Sequence, residues 1–98
     1  MQASTARVVD LAAVAESDRW WHSCGWRGIA WWAETGLPFE VADVAELGVP
    51  EPDRPERWGA LFAGAQTARL IEPAGLTLSR RTGRPTRLWR GIPDGVKR

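Results

Sequence analysis

Apolar residues recur with helical spacing through the first third of the chain. Four of them follow the i, i+3, i+4, i+7 pattern of one helix face, namely Val8, Leu11, Ala12 and Ala15. This pattern predicts a helix from about residue 4 to residue 16. Ser17 and Asp18 then offer capping chemistry for a second helix, or mark a kink in a continuous helix that runs to Thr35.

Two glycines interrupt the apolar face of this second stretch. Gly25 and Gly28 each cost about 1 kcal/mol relative to alanine inside a helix. We therefore expect a large group, such as a tryptophan ring, to pack closely against them. Gly36 has the position of a residue that terminates a helix, and Pro38 prevents continuation.

Two further helices follow before the spacing changes. The recurrence of Val41, Val44 and Leu47 predicts a short helix. A longer helix is predicted from Pro55 to Arg69, and the segment from Asp53 to Glu56 resembles a capping box. The inward face of this longer helix is predicted to carry Trp58, Leu61, Phe62 and Ala65.

After Leu70 the apolar period changes from 3.6 to 2, which predicts strands. Ile71, Leu76 and Leu78 alternate with polar residues, and a second extended run ends at Gly91. The segment Arg81–Pro85 has the composition of a turn, so the two runs form a hairpin.

This order of helices before a hairpin predicts an α+β, mainly helical fold of the winged helix-turn-helix type. The 98 residues are enough for one domain. Its predicted parts are N-terminal helices (4–35), a helix-turn-helix (39–70), a β-hairpin wing (71–91) and a tail (92–98).

Four segments carry a resemblance to a known group of proteins. They are Gly36-x-Pro38-Phe39 with Asp43-Val44, Arg57–Phe62, Leu70–Pro73 with Gly75, and Ser79–Arg81 with Leu88–Gly91. Over about Trp20 to Gly91 the chain resembles small winged-helix proteins of actinobacterial phages and prophages. The resemblance implies the fold and a phage context. Some such proteins are similar to DNA-binding regulators or replication accessories, and small phage proteins also bind host proteins.

Charge is distributed unevenly along the chain. Residues 1–56 carry ten acidic and four basic side chains, a net of −6, and residues 57–98 carry two acidic and nine basic ones, a net of +7. Such a split suits a protein that lays one face on a polyanion, unless the halves neutralise each other in the fold. We predict contact with double-stranded DNA through an arginine-rich wing and the preceding helix. The predicted contact residues are Arg57, Thr67, Arg69, Arg80, Arg81, Arg84, Arg87 and Arg90.

Seven tryptophans in 98 residues favour a second hypothesis. Tryptophan fills a small core, but five of them surround the helix between residues 20 and 32, where one core cannot cover every side. The alternative function is therefore a module that binds a host or phage protein, or a homodimer, without binding DNA. The predicted interface residues are Trp20, Trp21, Trp26 and Trp31.

Catalytic chemistry has few candidates here. His22 and Cys24 are the only residues of their kinds, and their i, i+2 spacing points them apart on a helix. The acidic stripe of Glu40, Asp43 and Glu46 is interpreted as a solvated helix face rather than a cation site. We expect no enzyme activity, no cofactor and no metal. The absence of a signal-like start or an apolar run of about 18 residues predicts a cytoplasmic protein without membrane contact.

Overall fold

A computed structural model describes the backbone of residues 2–93 and the side chains of residues 18–93. Within that part the chain is an α+β fold, about half helical, in which helices precede a two-stranded antiparallel hairpin. The elements are helices α1 (Gln2–Thr35), α2 (Val41–Glu46) and α3 (Glu56–Thr67), and strands β1 (Ile71–Leu78) and β2 (Pro85–Gly91). The predicted α+β class and the hairpin after the helices are confirmed, but three helices stand in this part of the chain where four were predicted. Two predictions lie outside the described part: the apolar face of Val8, Leu11, Ala12 and Ala15, and the tail at 94–98.

Helix α1 is continuous through Ser17 and Asp18, so of the two alternatives the single helix is correct. The carboxylate of Asp18 accepts a hydrogen bond from Arg57 Nη2 at 3.0 Å, which ties α1 to α3. Gly36 has a φ of +75° and donates its N–H to the carbonyl of Ala33, so it ends the helix as predicted.

The two glycines of α1 mark close helix contacts, as predicted. A Cβ atom at Gly25 would overlap Leu61 of α3, and one at Gly28 would lie 2.8 Å from Val44 of α2. The expectation of a tryptophan ring is wrong, because aliphatic side chains occupy both places. Small residues on α1 therefore let both later helices approach its backbone.

The start of α3 corrects the predicted capping box. Pro55 occupies the N-cap position and gives no side-chain cap. The Asp53 carboxylate instead accepts a hydrogen bond from Arg57 Nε at 2.7 Å, one turn further on. The inward face of α3 is confirmed, since Trp58, Leu61, Phe62 and Ala65 are all buried.

Aromatic rings dominate the core between the helices and the hairpin. Phe39 packs against Trp32 and Phe62 with ring centroids 5.8 and 6.1 Å apart, and Phe62 packs against Trp89 at 5.8 Å. Trp21 meets Trp58 edge-on at 5.1 Å and donates its Nε1–H to the carbonyl of Pro50. Large aromatic side chains thus supply the burial that a small domain needs.

The hairpin has one irregularity, which sets its faces. The register pairs Pro73 with Trp89 and Gly75 with Leu88, so Ala74 is an extra residue in β1. On the other edge of β2, Phe39 exchanges two 2.8 Å backbone hydrogen bonds with Trp89. A short extended segment thus lies beside β2, between α1 and α2. Ile92 corrects the predicted tail boundary, because it is half-buried and donates its N–H to Leu70.

Candidate nucleic-acid interface

The turn between the strands is closed by backbone hydrogen bonds. Ser79 N–H donates to the carbonyl of Arg84, and Gly83 N–H donates to the carbonyl of Ser79, both at 2.8 Å. Gly83 has a φ of +73°, a conformation that favours glycine. This turn fixes where Arg80, Arg81 and Arg84 leave the backbone, while Arg87 and Arg90 lie on β2.

Arg80 binds the acidic stripe of α2. Its Nη2 lies 2.7 Å from Asp43 Oδ1 and 3.0 Å from Glu46 Oε2, and its Nη1 lies 3.6 Å from Glu40 Oε2. Hydrogen bonds to Asp43 and then to Glu46 raise the pKa of the Arg80 guanidinium above its ordinary value. The stripe is thus a binding place for Arg80, which corrects its interpretation as a solvated face.

Glu40 is the most buried member of this group, with 3% of its surface exposed. It precedes α2, and its backbone N–H donates to Asp43 Oδ2 at 2.8 Å. A buried carboxylate is costly unless a positive charge accompanies it. Arg80 supplies that charge, and the ion pairs hold the hairpin turn against the start of α2.

Three more of the predicted DNA contacts are also paired with carboxylates. Arg81 binds Glu51 Oε1, and its guanidinium lies 5.6 Å from the ring centroid of Trp58. Arg90 lies 3.6 Å from Glu72, its partner across the hairpin. Arg57 is held between the carboxylates of Asp18 and Asp53. For Arg57 and Arg81 the two oppositely charged halves of the sequence do neutralise each other in the fold, whereas Arg90 pairs within its own half.

Arg84 and Arg87 differ from the other hairpin arginines. Both are exposed, and neither has a carboxylate within salt-bridge distance among the residues with described side chains. The guanidinium of Arg87 lies 5.6 Å from the ring centroid of Trp89, a cation–π contact that holds the Arg87 side chain along the strand. These two side chains present positive charge to solvent without a carboxylate partner among the described side chains.

The C-terminal end of α3 carries the remaining two predicted contacts. Thr67 is exposed on its last turn. Arg69 is also exposed and has a φ of +62°, an unfavourable conformation for a residue with a Cβ atom. The N–H of Leu70 reaches back to the carbonyl of Ala65 at 3.0 Å, as in a Schellman cap. Glycine is the usual residue where Arg69 stands.

The outward face of α3 carries mainly small residues. Gly59, Ala60, Ala63 and Gly64 are all exposed, followed by Gln66. This face permits close approach by a partner but offers few side chains that donate hydrogen bonds to base edges.

The four tryptophans predicted to form an interface are not on one surface. Trp21 is 6% exposed and belongs to the core, so its assignment to an interface is corrected. Trp26 is half-buried, stacks on His22 at 5.8 Å and packs near Gly64. Trp20 and Trp31 are 59% and 54% exposed. They are eleven residues apart in one helix, about three turns, and therefore share a side of α1.

An open apolar groove lies beside Trp31. Its volume is about 380 Å³, and it is lined by Cys24, Arg27, Gly28, Trp31, Leu47, Gly48 and Val49. Leu47 is 44% exposed there, although its spacing with Val44 placed it on the apolar side of α2. We call Trp20, Trp31 and this groove the tryptophan face.

A second apolar surface was not predicted. Leu76 and Leu78 are 75% and 64% exposed. In the register they lie opposite Arg87 and Pro85, and residues directly opposite share a face of an antiparallel pair. We call these four residues the leucine face. The apolar alternation of β1 in the sequence indicated an apolar side of the strand. It could not show which of those residues the core would bury and which would stay exposed.

Comparison with protein-family models, with curated proteins and with solved structures gave no match. No helix in the described part of the chain combines the length and the apolar character needed to cross a bilayer.

Proposed function

We propose that this chain is a small winged helix-turn-helix DNA-binding protein, of the kind that phages encode as regulators or accessory factors. It contacts duplex DNA through Arg84 and Arg87 of the hairpin. The observation that carries the proposal is the contrast between these two arginines and Arg80, Arg81 and Arg90, which are bound to carboxylates.

The arrangement of elements supports the winged-helix assignment. A helix, a short extended segment at Phe39, two helices and a hairpin follow one another, and the Phe39 segment pairs with β2. In such a domain α3 faces the major groove and the hairpin is the wing. The ion pairs of Arg80 hold the wing in place, so that Arg84 and Arg87 project from a fixed support.

Weak sequence specificity follows from the same geometry. Arginine contacts phosphates strongly, whereas base reading needs side chains that reach base edges. In α3 the one arginine, Arg57, is engaged by Asp18 and Asp53. We therefore expect an affinity that falls steeply with salt and changes little with DNA sequence.

A mobility-shift titration tests this function. The full chain is added to a duplex of random sequence and to several duplexes of defined sequence, at increasing salt concentration. We expect a complex at low salt on every duplex, with weaker binding as salt rises. Failure to form a complex even at the lowest salt concentration would refute DNA binding.

A second function is favoured by one observation, the exposure of Trp20 and Trp31 on one side of α1. Exposed tryptophans beside an apolar groove are typical of protein interfaces. On this proposal the tryptophan face binds a host or phage protein. The test is recovery of a stoichiometric partner from an actinobacterial lysate treated with nuclease, with a Trp20→Ser/Trp31→Ser variant as control. Equal recovery by the variant would exclude this face.

A further inference from the structure

The leucine face presents apolar side chains that the described part of the chain does not cover. Leu76 and Leu78 are among the most exposed large apolar residues in the part of the chain with described side chains. Isolated exposed leucines are common, but two on one sheet face, beside Pro85, form a continuous apolar surface. Such a surface is expected to be covered when the protein functions.

The same side of the hairpin is buried at its other end. Ile71 and Trp89 are 0% and 7% exposed, and residues 85, 87 and 89 share a side by strand alternation. The extra residue Ala74 shifts the alternation in β1 by one position, so Leu76 and Leu78 lie on the same side of the hairpin as Ile71. The hairpin therefore extends an apolar side beyond the core that it covers.

The positive charges beside the leucine face indicate which kind of ligand it could bind. Arg87 lies within the leucine face, and Arg84 precedes Pro85, both without carboxylate partners among the described side chains. A ligand that combines closely spaced negative charges with apolar surfaces between them matches this pattern. The minor groove of DNA does so, because phosphates border it and the faces of base pairs become accessible when a step opens.

The edge of β1 that lies away from β2, unpaired within the described residues 2–93, disfavours a peptide as the ligand. Addition of a strand needs a continuous row of N–H and C=O groups. Pro73 lacks an N–H, and the bulge at Ala74 with Gly75 at a φ of +129° interrupts the row. Because strand addition is disfavoured, we expect the leucine face to bind its ligand through side chains rather than through backbone hydrogen bonds.

We propose that the leucine face enters the minor groove, where Leu76 and Leu78 wedge into a base step and bend the duplex. This inference rests on the proposed DNA-binding function and specifies how the hairpin contacts the duplex. Arg84 and Arg87 neutralise phosphates on the groove edges, and the leucines replace part of the base stacking that they disrupt. Flexible steps such as TA in A·T-rich DNA open most easily, so bending is greatest there.

The experiment uses the full chain and a duplex with dyes at its two ends and 2-aminopurine at a central TA step. Binding is followed by mobility shift in the same samples. We expect wild type to raise energy transfer between the ends, from a bend of roughly 20–90°, and to raise 2-aminopurine fluorescence as the base unstacks. A Leu76→Ala/Leu78→Ala variant should still bind but lose both signals.

Leu37→Ala is the matched control, because Leu37 is 58% exposed but lies in the loop after α1. It should bind and bend DNA as wild type does. Binding by wild type without either signal would overturn the wedge and leave the proposed function standing, as would bending retained by the double leucine variant. Absence of any complex at low salt would overturn the wedge together with DNA binding.

Discussion

Gly91 of β2 lies directly against the backbone of Ala33 in α1, with no space between them for a side chain. A Cβ atom at residue 91 would overlap the carbonyl group of Ala33, and backbone atoms cannot move aside as a flexible side chain can. This contact sets the distance between the hairpin and α1. It therefore also sets where the hairpin arginines stand relative to the helices.

Replacing this glycine should destabilise the fold. We expect Gly91→Ala to lower the free energy of unfolding by at least about 2 kcal/mol, because α1 and β2 must separate. Urea denaturation followed by circular dichroism measures the change. Gly59→Ala is the matched control, since a Cβ there has nothing within 4 Å, and it should stabilise α3 by about 0.5–1 kcal/mol. Equal stability of the two variants would contradict the close contact.

The elements themselves were largely predictable from local spacing. The face of Trp58, Leu61, Phe62 and Ala65 and the terminating role of Gly36 follow from helical period and backbone freedom, which neighbouring residues determine. Ser17 and Asp18 left α1 ambiguous, because the same residues serve as caps or as exposed positions inside a helix.

Ion pairing was not predictable in the same way. Asp18 meets Arg57, Asp43 meets Arg80 and Glu51 meets Arg81 over separations of 30 to 39 residues. Such partners are set by the packing of helices and hairpin, which local spacing does not contain. The uneven charge distribution suggested that the two halves could neutralise each other in the fold. It did not indicate which arginines would remain without a carboxylate partner.

Burial of individual tryptophans also required the tertiary structure. Trp20 and Trp21 are neighbours, yet one is 59% exposed and the other 6%. A helix with tryptophan on every side gives no apolar direction, so spacing cannot identify the core face. The contacts of Trp21 with Trp58 and Pro50 decide it.

Arg80 should contribute to stability rather than to DNA affinity. In Arg80→Ala the buried Glu40 carboxylate loses its cation, so we expect a lower melting temperature. Adding Glu40→Gln removes the buried charge and should recover part of that loss. Differential scanning calorimetry of the two single variants and the double variant measures this coupling. Arg84→Ala, the exposed control, should melt like wild type, and an equal loss in both arginine variants would contradict the assignment.

Arg69 should be replaceable by glycine with a gain in stability. Its φ of +62° is unfavourable for a residue with a Cβ atom, and glycine removes that cost. We expect Arg69→Gly to raise the free energy of unfolding by up to about 1 kcal/mol, measured by urea denaturation. Arg69→Ala serves as the comparison, because it removes the charge and keeps the strain. A less stable glycine variant would show that the side chain makes a stabilising contact.

The salt dependence of DNA affinity tests the central claim most directly. Arg84→Ala/Arg87→Ala and Arg19→Ala/Arg27→Ala each remove two exposed arginines, so the net charge falls equally. The logarithm of the duplex association constant is measured against the logarithm of salt concentration. We predict a slope reduced by about two units for the hairpin variant and a wild-type slope for the α1 variant. A wild-type slope for the hairpin variant, or equal reduction in both, would contradict the assignment of DNA contact to Arg84 and Arg87.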